Sequence, residues 1–235
     1  MLTGALACAT LAAPSLAAHL PDRVVAAYYP PLMMQDPDRP GLSIEILQRA
    51  AALSGRSLDI TFVPFARAVK TIMRREDHLL PAYFRSPARE RSCAWVARTH
   101  TVHNVFNTLG PAIDTLDEAR KLDRIGVETD TAMDVMLSRL GFDNLVRAST
   151  PLITTQQLRM GRIDAWALTR SAARWIWEDL GHPERLVQGI PVAIADVYVA
   201  ASHTVSPALM EDYAGAIAVL QAAGAVDEIV ARYHG

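Results

Sequence analysis

The sequence predicts an α/β protein of two lobes, and three observations carry that prediction. Short apolar, β-branched runs alternate with segments of helical period in the first part of the chain. The alternation then restarts after a strand-like run, and a late strand precedes two closing helices. Alternation of this kind marks a sheet flanked by helices, and its restart marks a second lobe.

The elements follow in order. Residues 24–29 form a β-branched and aromatic run that stops at Pro30-Pro31. A helix over 43–53 follows, with Ser43 as its expected cap and Gly55 as its stop. Strand 58–63, helix 65–75 and strand 79–84 complete a βαβαβ unit. Residues 102–107 read as a strand that leaves this unit. Helix 116–121, strand 124–127, helix 131–140, strand 145–148, a helix near 154–160 and strand 164–168 make the second unit. Strand 192–201 and helices 207–222 and 225–233 end the chain. The expected division is a leader at 1–18, a first lobe at 19–107, a second at 108–198, and a return to the first at 199–235. The chain then crosses between lobes twice, and ligands in such architectures bind beyond the carboxyl ends of the strands.

Composition removes several function classes. The 235 residues carry 23 Lys+Arg against 25 Asp+Glu, a net charge of −2. No global positive field is present to hold a polyphosphate, so nucleic acid is not an expected partner. The first 18 residues carry no charge, and Ser15 and Ala17 sit where a signal peptide is cut, near Ala17 or Ala18. The expectation is export to the periplasm; a buried N-terminal helix or a misplaced start is the alternative. A run this short, interrupted by Pro14, is a poor membrane anchor. Once the leader is removed, Cys93 is the one remaining cysteine, which excludes an internal disulfide and a zinc-type cysteine spacing. Among seven histidines only His100 and His103 are close, and on a strand they face opposite sides. Neither a metal nor a cofactor is expected.

The stretch "YFRSPARER" (83–91) sets three arginines beside two aromatics. Guanidinium groups match the two oxygens of a carboxylate, so such a cluster is either a solvated surface or the grip on a small anion.

Six segments recur in a familiar order: "GLSIEILQRAAALSG" (41–55), "VPFARAVKTI" (63–72), "SPARERSCAWV" (86–96), "IGVETDTAMDVML" (125–137), "GRIDAWA" (161–167) and the ending "AGAVDEIVARYHG". Together they resemble the extracellular solute-binding proteins of the polar amino-acid type, over about residues 22–234. The resemblance implies the type II periplasmic-binding fold, with a double-crossing hinge and a ligand cleft between lobes. It also implies a monomer that binds a small carboxylate-bearing solute, an amino acid or a relative. The bound solute would be shown to a separate ABC-type transporter or sensor in the membrane.

The resemblance also implies roles for particular residues. Family members use the arginine that closes a Thr-x-x-Arg element to hold the ligand carboxylate. Ser86-Pro87-Ala88-Arg89 matches that element, with Ser86 as helper; Arg85 and Arg91 are left to solvent or to Glu90. Asp130-Thr131 stands where the family has Gly-Thr at a helix N-terminus, so Thr131 is either a ligand contact, a helix cap, or both. Phe65 takes the place of an aromatic that packs on the ligand, and Tyr28 and Tyr29 extend that wall; core packing is their alternative.

Departures from the family pattern shape the expected solute. Thr169 stands where an aspartate usually holds the ligand ammonium, while Asp164 belongs to a turn. Tyr28 and Phe84 stand where polar contacts are frequent, and Glu128 either holds an amine or points to water. A carboxylate other than a standard α-amino acid is therefore open. Two other readings are a dehydratase-like enzyme with Glu128 as general acid and an accessory protein without a small ligand. No partnered nucleophile, metal cluster or acid/base pair is visible, so a non-enzymatic binder is expected.

Overall fold

The structure is a computed structural model that describes residues 20–74, 76–87 and 89–234. The leader expected at 1–18, with its cleavage site, lies outside the described residues.

The first half contains β1 (Asp22–Ala26), α1 (Leu42–Leu53), β2 (Leu58–Phe62), α2 (Phe65–Met73) and β3 (Leu79–Phe84). β1 pairs in parallel with β2 and with β3, and α1 is the crossover that a parallel β1/β2 pair requires. All six residues of β3 are buried, as an apolar strand covered on both faces should be. Pro81 cannot donate to a ladder, and the register between β3 and its antiparallel neighbour shifts between Leu80 and Tyr83.

β4 (Ala94–Thr108) then runs out of this half. The second half contains α3 (Leu116–Ala119), β5 (Ile125–Glu128), α4 (Ala132–Arg139), β6 (Leu145–Ala148), α5 (Pro151–Arg159), β7 (Ala165–Thr169), α6 (Arg170–Asp179) and β8 (Val187–Gln188). β9 (Ala193–Ala201) returns the chain to the first half, where α7 (Pro207–Ala222) and α8 (Ala225–His234) pack against α1. The sheet order is β2-β1-β3-β9-β4-β7-β5-β6, with β8 beside β4. β4 and β9 lie antiparallel along their length at the centre, and they are the two crossings between lobes.

Side chains in the second lobe alternate by strand period. Ile125, Val127, Ala165 and Ala167 face a core with Phe106 and the α4 residues Met133 and Leu137. Trp166 and Leu168 face the other way, against Ala172 and Ala173 of α6. His100 is buried and His103 exposed, on opposite sides of β4 as the spacing requires.

Three expectations differ from the fold. Ser43 does not cap α1: it is fully buried inside the helix, and Gly41 stands at the N-cap with φ 95°. A Cβ on Gly41 would lie 2.6 Å from the carbonyl oxygen of Leu32, so only glycine allows that approach. The first helical N–H groups are satisfied by that neighbouring chain, Leu42 to the carbonyl of Pro31 and Ser43 to that of Leu32, both at 2.9 Å. β4 begins at Ala94 rather than at residue 102, because pairing with β9 carries it through two register shifts that disturb the local alternation. Finally, α6 has no counterpart among the expected elements, although its buried Ala172, Ala173, Ile176 and Trp177 carry helical spacing.

Candidate functional site

A cavity of about 440 Å³ opens between the lobes, a size ordinary for small-molecule sites. Its walls come from strand ends. Tyr28 and Tyr29 follow β1, Val63 to Phe65 follow β2, Glu128 ends β5 with Thr129 and Thr131 after it, and Ser149 and Thr150 follow β6. β1 runs parallel to β2 and β5 to β6, so these are the carboxyl ends where an open α/β sheet presents its loops. α6 closes one side with Trp175 and Asp179, which lie i, i+4 on one helix face.

Glu128 is the most constrained of these groups. It is the last residue of β5 and only 4 % exposed. One carboxylate oxygen, Oε1, accepts from Thr154 Oγ1 at 2.8 Å and from Trp166 Nε1 at 2.9 Å. The other, Oε2, is buried with no hydrogen-bond partner. Burial pushes the Glu128 carboxyl pKa upward, and the Thr154 and Trp166 bonds oppose that rise. Gly126 makes the arrangement possible. A Cβ there would lie 2.5 Å from Thr154 Cγ2, so glycine lets α5 approach β5 closely enough for Thr154 to reach Glu128.

The opposite wall is aromatic. Tyr29 and Phe65 have ring centroids 6.1 Å apart, and Phe65 and Tyr83 are 6.4 Å apart. The Tyr29 phenol is pushed well above its usual pKa by burial and then by the Glu128 carboxylate, with Arg89 opposing. Tyr28 is half exposed, and its phenol is raised by burial and then by Asp179. Both phenols are neutral donors at physiological pH.

Thr131 serves the backbone. Its hydroxyl donates to the Glu128 carbonyl at 2.7 Å and caps α4 by accepting from the Asp134 N–H. The hydroxyl proton is thus engaged, while the residue still lines the cavity. Asp130 adopts φ 62°, a left-handed conformation that aspartate tolerates better than most residues.

Arg89 stands beside the cavity rather than in its wall. Its guanidinium lies 4.6 Å from the Tyr83 ring centroid and donates to the carbonyls of Phe84 and Asp130, each at 3.3 Å. The second bond joins the first lobe to the second. Arg85 pairs with Glu90 and leaves Arg89 the arginine of this loop that reaches the other lobe.

The structure therefore brings Tyr28, Tyr29, Phe65, Glu128 and Thr131 together around one cavity. Ser86 accepts the Arg89 N–H through its carbonyl, and Phe84 is a buried core residue; neither is in the cavity wall. Thr169 is buried at the N-cap of α6 without a side-chain cap bond, also away from that wall. Trp175, Asp179 and Thr150 were not anticipated; the amphipathic spacing of α6 was the signal available for the first two. Among the described residues no group of three His, Cys, Asp or Glu side chains is placed to hold a metal ion, and no single helix is long and apolar enough to cross a membrane.

No family model and no curated protein matches the chain in sequence. Solved structures do match its fold. A histidine kinase sensor domain with similarity to periplasmic binding proteins aligns with a TM-score of 0.81 at 18 % identity, covering 92 % of this chain and 97 % of its own. An ancestral arginine-binding protein bound to arginine aligns with a TM-score of 0.75 at 14 % identity, covering 92 % and 100 %. The GluR0 ligand-binding core from Nostoc punctiforme, in complex with L-glutamate, aligns with a TM-score of 0.78 at 13 % identity, covering 91 % and 99 %. With β4 and β9 as its double crossing and the cavity between its halves, the chain has the two-lobe type II periplasmic-binding fold.

Proposed function

We propose that this protein is a monomeric receptor for a small solute of amino-acid type, which it encloses between its lobes and presents to a membrane partner. The observation that carries the reading is the cavity itself, whose walls come from both lobes and whose edge is spanned by Arg89. A solute held by both walls favours the closed form through its differential affinity for that form.

Arg89 is the proposed anchor for a carboxylate. Its present partners are two backbone carbonyls at 3.3 Å, and a carboxylate offers the guanidinium shorter and stronger charge-assisted bonds. Phe65 and Tyr29 supply the apolar wall on which the solute body rests. The uncharged leader supports a periplasmic location. The partner is a transporter of the ABC type or a sensor; the likeness to a histidine kinase sensor domain favours the second as a specific alternative.

Native mass spectrometry of the protein purified from its own periplasm tests the reading. A co-purified small molecule is expected. Protein that carries none, and that gives no heat with a panel of amino acids and small carboxylates, would overturn it.

A further inference from the structure

The Glu128 carboxylate has one oxygen with two donors and one with no hydrogen-bond partner. Oε1 holds two donors, whereas Oε2 is buried without a partner, and none of the ion pairs of the described residues involves Glu128. A buried carboxylate oxygen left without a donor is costly, and the residue as a whole is only 4 % exposed. The group that relieves it is either a proton held by the carboxyl itself or a donor admitted from the cavity that Glu128 lines.

The rest of the wall has a matching character. Asp179 is a second carboxylate there, and no Lys, Arg or His belongs to the described residues of the wall. Tyr28, Tyr29, Phe65 and Trp175 supply ring surfaces, whose negative faces attract cations. Trp175 already carries one such contact, with the Arg39 guanidinium 4.3 Å from its ring centroid. Arg89, outside this wall, is held on the Tyr83 ring.

We propose that the cavity recognises a cation, a protonated primary amine or a guanidinium, whose N–H groups bond to Oε2 of Glu128 while Asp179 and the aromatic rings surround its charge. This rests on the receptor reading above and deepens it, because it makes the cationic end of the solute, rather than its carboxylate, the feature read inside the cavity. The ammonium position that Thr169 leaves without an acid is replaced by Glu128 from a different strand end. A solute with an amine and no carboxylate is then a ligand in its own right.

The rival chemistry is a Glu128 that stays protonated and donates from Oε2 to an acceptor on the solute. Glu128→Gln separates the two, since the amide keeps an oxygen for Thr154 and Trp166 but presents an N–H in place of Oε2. The probes are agmatine, which has two cationic ends and no carboxylate, L-arginine, which has both kinds of group, and glutarate, which has no amine. Calorimetry on the full chain at neutral pH is expected to show agmatine and L-arginine binding and glutarate not binding. Glu128→Gln is expected to weaken agmatine by about tenfold or more, the scale of a hydrogen bond to a charged group, with unchanged far-UV circular dichroism. Agmatine affinity that survives Glu128→Gln overturns the proposal. So does glutarate bound as tightly as agmatine, and in that case the receptor reading stands. Binding of none of the three also overturns it, and the receptor reading is then judged by native mass spectrometry. If the Gln variant does not fold, the three-probe comparison on the unaltered chain decides alone.

Discussion

The indole N–H of Trp166 donates to Oε1 of Glu128 over 2.9 Å, and the pair joins neighbouring strands of the second lobe beneath the cavity. Trp166 stands opposite Gly126 in the β5/β7 ladder, so Glu128, two residues further along β5, shares its face. Trp166→Phe keeps most of the ring volume and removes the donor. We expect a loss of about 1–3 kcal/mol in urea denaturation, and a Glu128 carboxyl pushed further above its usual range. An unchanged denaturation midpoint would separate the indole from the support of Glu128.

Gly126→Ala tests the packing above that pair. The added Cβ would lie 2.4 Å from Ile163 Cδ1 and 2.5 Å from Thr154 Cγ2. The isoleucine end can swing aside, but the β-branched threonine is stiff, so α5 must shift. The expected loss is about 1–3 kcal/mol, as for other overpacked sites. Thermal unfolding at the parental midpoint would mean that α5 moves freely.

Arg89→Ala should affect ligands more than stability. The side chain is half-buried and its two bonds to carbonyls are long, so apo stability should change by less than about 1 kcal/mol. L-Arginine affinity should fall about tenfold or more, while agmatine, which lacks a carboxylate, should be affected much less. Equal losses for the two ligands by calorimetry would deny Arg89 a carboxylate-specific role.

The Glu128 carboxyl gives a signed pH dependence. Its folded value lies above the usual 4.5, raised by burial and opposed by Thr154 and Trp166, with the neutral Tyr29 phenol nearby. The folded protein then keeps a proton that the unfolded chain releases. Its contribution to stability is full below about pH 4.5 and declines as pH rises through the folded value. The stability difference between Glu128→Gln and the parent should therefore move in favour of the variant as pH rises above 4.5 and through the folded value. A difference independent of pH in paired urea titrations would show that this carboxyl is not raised.

Away from the cavity, Asp22 is held between Arg56 at 2.7 Å and the Tyr213 hydroxyl at 2.7 Å, which ties β1 to α7. Tyr213→Phe should cost about 1–3 kcal/mol, and Arg56→Ala should cost more, because it leaves a nearly buried carboxylate without its counter-charge. Equal losses for the two variants in chemical denaturation would contradict that ranking.

Much of the architecture was legible because its signals are local. The apolar run of β3 and the glycine that ends α1 each announce themselves within a few residues. β4 was read too short because its N-terminal part is a strand by virtue of pairing with β9, roughly a hundred residues away. α6 was missed although its spacing was visible, and with it went Trp175 and Asp179.

By itself the sequence determined the order of the strands and helices apart from α6 and β8, the near-neutral charge, and the placing of Tyr28, Tyr29, Phe65, Glu128 and Thr131 at or near strand ends. Those properties depend on neighbours along the chain. Tertiary structure decided that these five residues share one cavity, that Arg89 reaches across it to Asp130 from outside the wall, and that Ser86, Phe84 and Thr169 face elsewhere. It also decided that one oxygen of Glu128 is satisfied and the other is not, because the donors come from Thr154 on α5 and Trp166 on β7. Hydrogen-bond satisfaction and burial are sums over groups brought close only by the fold, and no window of the sequence contains them.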